Sequence, residues 1–203
     1  ASQVGHLQPI VAPPMEIGSA FDYEGELAVI IGRGGRHIPV DKALDHVAGY
    51  SIYNEGSVRQ FQEHNRQFGL GKNFGASGSF GPWLMTPDEF GRSETHWVRT
   101  RVNGYLRQEA PVSDLLFSVE RLIHYLSTGY SLVPGDVIVT GTSGVLPRKP
   151  GDVEGDPAKQ FGRFKIPGLV HMKPGDIVEV EVDGLGVLKN PVVADGPVAY
   201  RPA

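Results

Sequence analysis

Three glutamates in two nearby segments are the residues in this chain best suited to chemistry. Glu24 and Glu26 lie two positions apart at the start of an apolar run over residues 22–32, which predicts a strand, so their side chains should share one face. Glu55 ends a second predicted strand over residues 49–55. Adjacent carboxylates repel each other and are costly to desolvate, and a hard divalent cation would remove both penalties. The alternative from spacing alone is an exposed strand end with solvated glutamates.

Two hairpins are predicted among the elements that would position these acids. Asn103-Gly104 favours a type I′ turn, whose positive φ angles match the twist of paired strands. Asp183-Gly184 predicts a second hairpin, in which residues 177–182 alternate apolar and acidic side chains with period two. The predicted strands span residues 97–102, 105–108, 176–182 and 185–188.

Two helices, a repeated turn and a long loop complete the predicted elements. Residues 115–128 carry apolar side chains at helical spacing, with Asp114 as the N-cap and Gly129 as the stop. A shorter helix is predicted over residues 41–47. Pro-Gly-Asp recurs and is interpreted as one turn used three times, at Pro134, Pro150 and Pro174. Residues 147–168 are rich in Pro, Gly, Lys and Asp and predict a long surface loop.

Composition and charge exclude several classes of protein. A chain of 203 residues suits one domain, and the absence of cysteine excludes disulfides, a thiol nucleophile and zinc–thiolate sites. The net charge is −4, with 19 basic and 23 acidic residues spread along the chain, so nucleic acid is not an expected partner. No apolar run approaches the ~18 residues of a membrane span, and no signal peptide is apparent. We expect a cytoplasmic protein without a membrane partner.

Several ordered motifs resemble those of the fumarylacetoacetate hydrolase family. The first are Tyr-Glu-Gly-Glu-Leu-Ala-Val-Ile-Ile-Gly (23–32) and Gly-Tyr-Ser-Ile-Tyr-Asn-Glu (49–55), with Arg and Gln four and seven residues further on and then a lysine. Leu-Val-Pro-Gly-Asp-Val-Ile-Val-Thr-Gly-Thr (132–142) resembles the family's late Gly-Thr loop, and residues 172–191 resemble its closing hairpin. The likeness covers residues 9–191, and the agreement of several motifs in order makes it specific.

The resemblance implies a fold and a metal centre. The fold would be α+β and β-rich, a fumarylacetoacetate-hydrolase-like β-roll of mixed sheets with a few helices, forming a single catalytic domain over residues 1–203 that pairs into a homodimer. Glu24, Glu26 and Glu55 would hold Mg²⁺ or Mn²⁺, with Ca²⁺ as an alternative. The family usually has aspartate at the third position, so Glu55 keeps the charge but adds one methylene.

The resemblance also assigns the residues that contact substrate, which are Arg59, Gln62, Lys72 and Thr142. Arg59 and Lys72 would be catalytic, because they can neutralise a substrate carboxylate and a developing enolate. Gln62 and Thr142 would supply neutral hydrogen bonds. Two alternatives stay open, namely a salt bridge between Arg59 and a site carboxylate and an ordinary solvated Lys72.

A general base is not assigned to any residue of the chain. The family places a His/Glu pair on a lid that precedes the first segment here, and Ala1 is not a methionine, so that lid region is expected upstream. No histidine pair has a His-x-His metal spacing, and His64 lies near the site only in sequence. We interpret each histidine as structural or solvated: His6, His37, His46, His64, His96, His124 and His171.

The resulting hypothesis is a metal-dependent hydrolase acting on a carbon–carbon bond. It would cleave a 2,4-dioxo acid, such as an acylpyruvate or fumarylpyruvate of aromatic catabolism, into pyruvate and a carboxylic acid. The alternatives are an oxaloacetate-type 2-oxo acid decarboxylase and a hydratase or isomerase, because one enolate-stabilising site serves them all. A member of the fold that binds a ligand without turnover is a further alternative. The expected partner is a small 2-oxo acid.

Overall fold

The strands that carry the glutamates lie in the first of two mixed sheets. The structure is a computed structural model that describes residues 2–18, 20–62, 64, 66–146 and 170–196. The strands of the first sheet are β1 (Gln3–Val4), β4 (Gly25–Ile31), β5 (Val47–Asn54), β7 (Gly78–Met85) and β10 (Val137–Val139). They are arranged in the order β1-β7-β5-β4-β10, with β1 and β7 parallel and the other neighbours antiparallel. Both predicted glutamate strands are therefore paired, as β4 and β5.

The second sheet contains both predicted hairpins. Its strands are β2 (Ile10–Ala12), β8 (Trp97–Val102), β9 (Tyr105–Pro111), β11 (Ile177–Val182) and β12 (Gly186–Ala194), in the order β2-β12-β11-β8-β9. Asn103 and Gly104 have φ angles of 53° and 78°, which confirms the predicted positive-φ turn between β8 and β9. A two-stranded ribbon of β3 (Phe21–Asp22) and β6 (Ser57–Val58) flanks the site residues.

Helices are short in the described part of the chain. The α-helices are α1 (Arg59–Gln62), α2 (Pro87–Phe90) and α3 (Val119–Gly129), and the 3₁₀ turns are Val40–His46, Leu70–Lys72, Ser93–Thr95 and Val112–Asp114. The prediction that Asp114 caps a helix from residue 115 is wrong. Asp114 ends a 3₁₀ turn, and Ser118 caps α3 by accepting a hydrogen bond from the Arg121 amide at 3.4 Å. The predicted helix over 41–47 is the 3₁₀ turn Val40–His46.

The repeated Pro-Gly-Asp motif forms the same turn twice in the described residues. Asp136 accepts a hydrogen bond from the Val133 amide at 2.8 Å, and Asp176 accepts one from the Lys173 amide at 2.9 Å. The two turns launch β10 and β11. The third copy, at Pro150, and the predicted loop over 147–168 lie outside the described residues. The single domain over 1–203, the homodimer and the cytoplasmic location stay predictions.

The two sheets pack against each other through apolar side chains. One face of β4 and β5 contributes Leu27, Val29 and Ile52, which meet Val180 and Leu188 of the second sheet in a buried core. A smaller cluster around Phe21, Tyr23 and Val178 lies next to it. Among the described residues, no helix is both long enough and apolar enough to cross a membrane.

Gly25 marks the closest approach of the two sheets beside the glutamates. A Cβ atom at this position would lie 2.1 Å from the Thr100 hydroxyl oxygen and 3.0 Å from a Val180 methyl. Residue 25 therefore has no room for a side chain. Because neighbouring side chains of a strand alternate between faces, Glu24 and Glu26 point away from the second sheet.

We predict that Gly25→Ala destabilises the fold by about 1–3 kcal/mol, because the added methyl overpacks the sheet interface. Gly69→Ala is the matched control, since a Cβ at Gly69 meets nothing within 4 Å. The control should change the free energy of unfolding by no more than about 0.5 kcal/mol. Urea denaturation measures both, and equal stabilities of the two variants would contradict the close packing at Gly25.

Candidate active site

Pairing of β4 with β5 brings the three predicted glutamates to one end of the first sheet. Glu24 directly precedes β4, and Glu55 directly follows β5. The backbone amide of Glu55 donates to the Glu24 carbonyl at 2.9 Å, and Glu26 lies opposite Tyr53 in the antiparallel register. Glu24 and Glu26 are 5% and 4% exposed, so the alternative of a solvated strand end is wrong.

A buried ion-pair network fixes the first glutamate from one side. The guanidinium of Arg59 binds Asp22 through Nε at 2.9 Å and through Nη2, and its Nη1 lies 3.0 Å from Glu24 Oε1. The same Nη1 donates to Gln62 Oε1 at 2.7 Å. The Ser57 hydroxyl also donates to Glu24 Oε1, at 2.8 Å. Arg59 therefore forms the salt bridge that the sequence left open as an alternative.

Lys72 joins the first and third glutamates from the other side. Its ammonium donates to Glu24 Oε2 at 2.7 Å and lies 3.4 Å from Glu55 Oε2. With its side chain 22% exposed, Lys72 is not an ordinary solvated lysine. Burial alone would lower the pKa of the Lys72 ammonium, but the charge and hydrogen bond of Glu24 raise it above its ordinary value. Lys72 is therefore a fixed positive charge at neutral pH.

The Gly-Thr loop after β10 reaches the second glutamate. The Gly141 amide donates to Glu26 Oε2 at 2.5 Å, and the Thr142 hydroxyl donates to the Gly25 carbonyl at 3.1 Å. The buried Gln108 amide ties these segments together, because it accepts from the Gly25 amide at 3.1 Å and donates to Thr142 Oγ1 at 2.8 Å. The structure thus places Thr142 at the site with its hydroxyl engaged by protein groups.

Burial and mutual repulsion disfavour ionisation of these acids. Burial raises the pKa of Glu26 to about 8, with the Glu24 charge adding to the effect and the Gly141 amide opposing it. Burial also raises the pKa of Asp22 to about 6 despite Arg59, and it raises the pKa of Glu55 despite Lys72. Asp22, Glu24, Glu26 and Glu55 together form what we call the carboxylate wall. Negative charge on this wall is electrostatically costly.

The donor set and the charge balance fit a hard divalent cation. Asp22, Glu24, Glu26 and Glu55 offer four negative charges against the two positive charges of Arg59 and Lys72, which leaves two unmatched when all are ionised. Carboxylate oxygens are the preferred ligands of Mg²⁺ and Mn²⁺. Within the ranges that the structure describes, however, no three His, Cys, Asp or Glu side chains are already grouped as metal ligands. Glu24 and Glu55 both contact the Lys72 ammonium. A cation bound by these two carboxylates would therefore require the ammonium to move.

Several residues of the site were not singled out by the sequence. Asp22 is 1% exposed and holds Arg59, while Gln108 is 2% exposed and holds the Gly-Thr loop. Ser57 and Tyr53 bind the carboxylates of Glu24 and Glu55. Tyr53 and Ser57 each lie two positions from Glu55 in the sequence. This spacing is the signal that could have identified them.

Four of the histidines have structural contacts, and one lies near the site. His6, His46, His96 and His124 bind backbone groups at 2.7–3.2 Å. His171 is half-buried, and burial together with the positive charge of Arg59 lowers its pKa. His171 is thus a neutral side chain at physiological pH beside the Arg59 network.

Comparison with known proteins supports the fold and the family motifs. A family model described as fumarylacetoacetate (FAA) hydrolase C-terminal matches residues 1–193. The oxaloacetate tautomerase YisK of Bacillus subtilis is 39% identical over 184 residues, which cover 90% of this chain and 56% of that protein. The chain therefore spans little more than half the length of this relative.

Two solved structures show the same architecture. Fumarylacetoacetate hydrolase from Exiguobacterium antarcticum matches with a TM-score of 0.81 and 37% identity, covering 96% of this chain and 64% of that one. Fumarylpyruvate hydrolase from Pseudomonas aeruginosa, solved in complex with Mn²⁺ and pyruvate, matches with a TM-score of 0.75 and 27% identity, covering 96% and 76%. These matches confirm the predicted α+β fold of curled, mixed sheets with few helices.

We predict that Arg59→Met lowers the free energy of unfolding by about 3–5 kcal/mol, because it leaves buried Asp22 without its cation and takes one of two cations from Glu24. Arg99→Met is the matched control. Arg99 also binds two acids, Glu109 at 2.9 Å and Asp183 at 2.6 Å, but its partners are more than a third exposed. The control should lose only about 0–1 kcal/mol in the same denaturation experiment. Similar losses in both variants would show that the Arg59 network is effectively solvated.

Proposed function

Because the chain belongs to the fumarylacetoacetate hydrolase family, we propose that it is a divalent-cation-dependent enzyme that interconverts the enol and keto forms of a small 2-oxo acid of the oxaloacetate class. The observation that carries this proposal is the 39% identity to an oxaloacetate tautomerase over 90% of the chain. Tautomerisation moves one proton between C3 and the 2-oxo oxygen. It requires a site that tolerates negative charge on that oxygen.

The carboxylate wall supports a cation in this role. Glu24, Glu26 and Glu55 would hold Mg²⁺ or Mn²⁺, with Ca²⁺ as the alternative. Bound there, the ion would act as a Lewis acid that stabilises negative charge on the 2-oxo oxygen. The unmatched charge of the wall and the oxygen donors are the structural support for this assignment.

The two cationic side chains would have different tasks. Arg59 is held by Asp22 and contacts Gln62 and Glu24, so it would fix the geometry of these groups. Lys72 is the more exposed of the two and is bound to the carboxylates that would ligate the cation. Once those carboxylates bind a cation, the Lys72 ammonium would be released to place its charge beside the enol oxygen of the substrate.

Hydrolysis of a carbon–carbon bond in a 2,4-dioxo acid is the second candidate function. The likeness to a fumarylacetoacetate hydrolase at 37% identity and to a fumarylpyruvate hydrolase at 27% identity favours it. Hydrolysis needs an activated water in addition to a site that stabilises an enolate, and decarboxylation of oxaloacetate needs the enolate site alone. Tautomerisation is the stronger proposal because it needs no activated water, and no residue of this chain is assigned as the base that would activate one.

We predict that the metal-loaded protein accelerates ketonisation of enol-oxaloacetate and releases no pyruvate from acylpyruvates. Decay of the ultraviolet absorbance of the enol measures the first reaction, and a coupled assay for pyruvate measures the second. Free Mg²⁺ without protein is the control, since the ion alone promotes tautomerisation. Rapid pyruvate release from an acylpyruvate would favour hydrolysis, and release from oxaloacetate would favour decarboxylation. A folded, metal-loaded protein inert in every assay would favour a binding role without turnover.

We predict that Glu26→Gln reduces Mn²⁺ binding and tautomerase activity at least about 100-fold, because it removes a charged ligand oxygen without changing the size of the side chain. Glu181→Gln is the matched control, since Glu181 pairs with Arg101 on the sheet surface, away from the site. Calorimetry with Mn²⁺ and the enol assay measure both effects. Wild-type affinity in Glu26→Gln would remove this residue from the metal site.

A further inference from the structure

A tyrosine hydroxyl lies among the carboxylates of the candidate site. Tyr53 precedes Glu55 by two residues, so both side chains lie on the same face, and Tyr53 is opposite Glu26 in the register of β4 and β5. The side chain is buried, and its hydroxyl donates to Glu55 Oε1 at 3.3 Å. Tyr53 therefore contacts the third of the predicted metal ligands.

A second side chain sets the direction of this hydrogen bond. The Gln3 amide nitrogen, from β1, donates to the Tyr53 hydroxyl oxygen at 2.6 Å. An amide nitrogen can only donate, so it occupies a lone pair of the phenol oxygen. The hydroxyl hydrogen of Tyr53 is then directed to Glu55.

The two carboxylate oxygens of Glu55 have different partners. Oε1 is bonded to the neutral Tyr53 hydroxyl, and Oε2 faces the charged Lys72 ammonium at 3.4 Å. A cation that approaches the wall repels the ammonium but not the phenol. Tyr53 can consequently remain bonded to Oε1 while Oε2 exchanges Lys72 for the ion.

The backbone that follows Glu55 is also fixed. A Cβ atom at Gly56 would lie 1.8 Å from the Ser77 carbonyl oxygen, so the two main chains are in direct contact there. The main chain thus anchors the Cα atom of Glu55, and the remaining freedom is in the side-chain torsions. A glutamate has one more of these torsions than an aspartate, and the Tyr53 hydroxyl restricts them.

We propose that Tyr53 is a positioning residue that orients Glu55 for cation binding, with Gln3 aligning its hydroxyl. The inference rests on the proposed function, because it takes Glu55 as a metal ligand. Hydrogen bonds to a ligating carboxylate commonly contribute about 10–100-fold to metal affinity.

Calorimetric titration of the full chain with Mn²⁺ tests the proposal in wild type, Tyr53→Phe and Tyr50→Phe. Tyr53→Phe should weaken Mn²⁺ binding about tenfold. Tyr50→Phe is the matched control, because Tyr50 lies on the same strand but packs on Phe90 in the core. It should leave the affinity within about twofold of wild type. Equal affinity of wild type and Tyr53→Phe overturns the role of the phenol, whereas a wild type that binds no Mn²⁺ overturns the proposed function as well.

The same titration in a Glu55→Asp background shows whether the phenol acts through residue 55. An aspartate carboxylate ends one carbon earlier, and the Tyr53 contact to Glu55 is already 3.3 Å long. Adding Tyr53→Phe to Glu55→Asp should therefore change the affinity less than about twofold. An equal loss in both backgrounds would overturn the proposal. If Tyr53→Phe does not fold, Gln3→Met decides in its place, since it removes the aligning amide and leaves β5 unchanged. Weaker Mn²⁺ binding by Gln3→Met supports the proposal, and unchanged binding overturns it.

Discussion

The cost of holding negative charge away from water governs the structure around the candidate site. Asp22, Glu24 and Glu26 are each no more than 5% exposed, and Glu55 joins them at the end of β5. Burying one such ion costs several kcal/mol unless charged partners and hydrogen-bond donors compensate. The donors are a guanidinium, an ammonium, a serine hydroxyl, a tyrosine hydroxyl and a glycine amide, each within 3.4 Å of a carboxylate oxygen. The wall is tolerable only because all of these groups converge on it.

These donors come from segments that are far apart in the chain, so the site depends on the whole fold. The Gly141 amide reaches Glu26 across 115 positions, and Gln108 reaches Gly25 across 83. Gln108 belongs to the second sheet, while Gly25 begins β4 of the first. One buried amide therefore couples the packing of the two sheets to the position of the Gly-Thr loop. The carboxylates and their partners are assembled by the same contacts that close the domain.

Local pattern predicted the acids of the site, but it did not predict their partners. Alternation along a strand placed Glu24 and Glu26 on one face, and the end of the next strand placed Glu55 beside them. An aspartate such as Asp22 is ordinary at a solvated strand end. Nothing in the neighbouring residues indicates that Arg59 binds its carboxylate. Gln108 lies in an edge strand where a polar residue is ordinary. The helix prediction failed because Asp114 and Ser118 are both good N-caps: Asp114 instead ends the 3₁₀ turn Val112–Asp114, and Ser118 caps α3.

Lys72 connects the electrostatics of the wall to the chemistry proposed for it. Its ammonium bridges Glu24 and Glu55, where it offsets one of the four carboxylate charges. A divalent cation bound by the same carboxylates, as proposed, would carry one more positive charge than the ammonium that it would replace. The exchange would therefore neutralise the wall more fully and would also free a positive side chain next to the ion. An enolate carries one more negative charge than the 2-oxo acid from which it forms, so the freed ammonium would be available where that charge develops. This coupling would favour any reaction that passes through an enolate, and the smallest such reaction is the transfer of one proton.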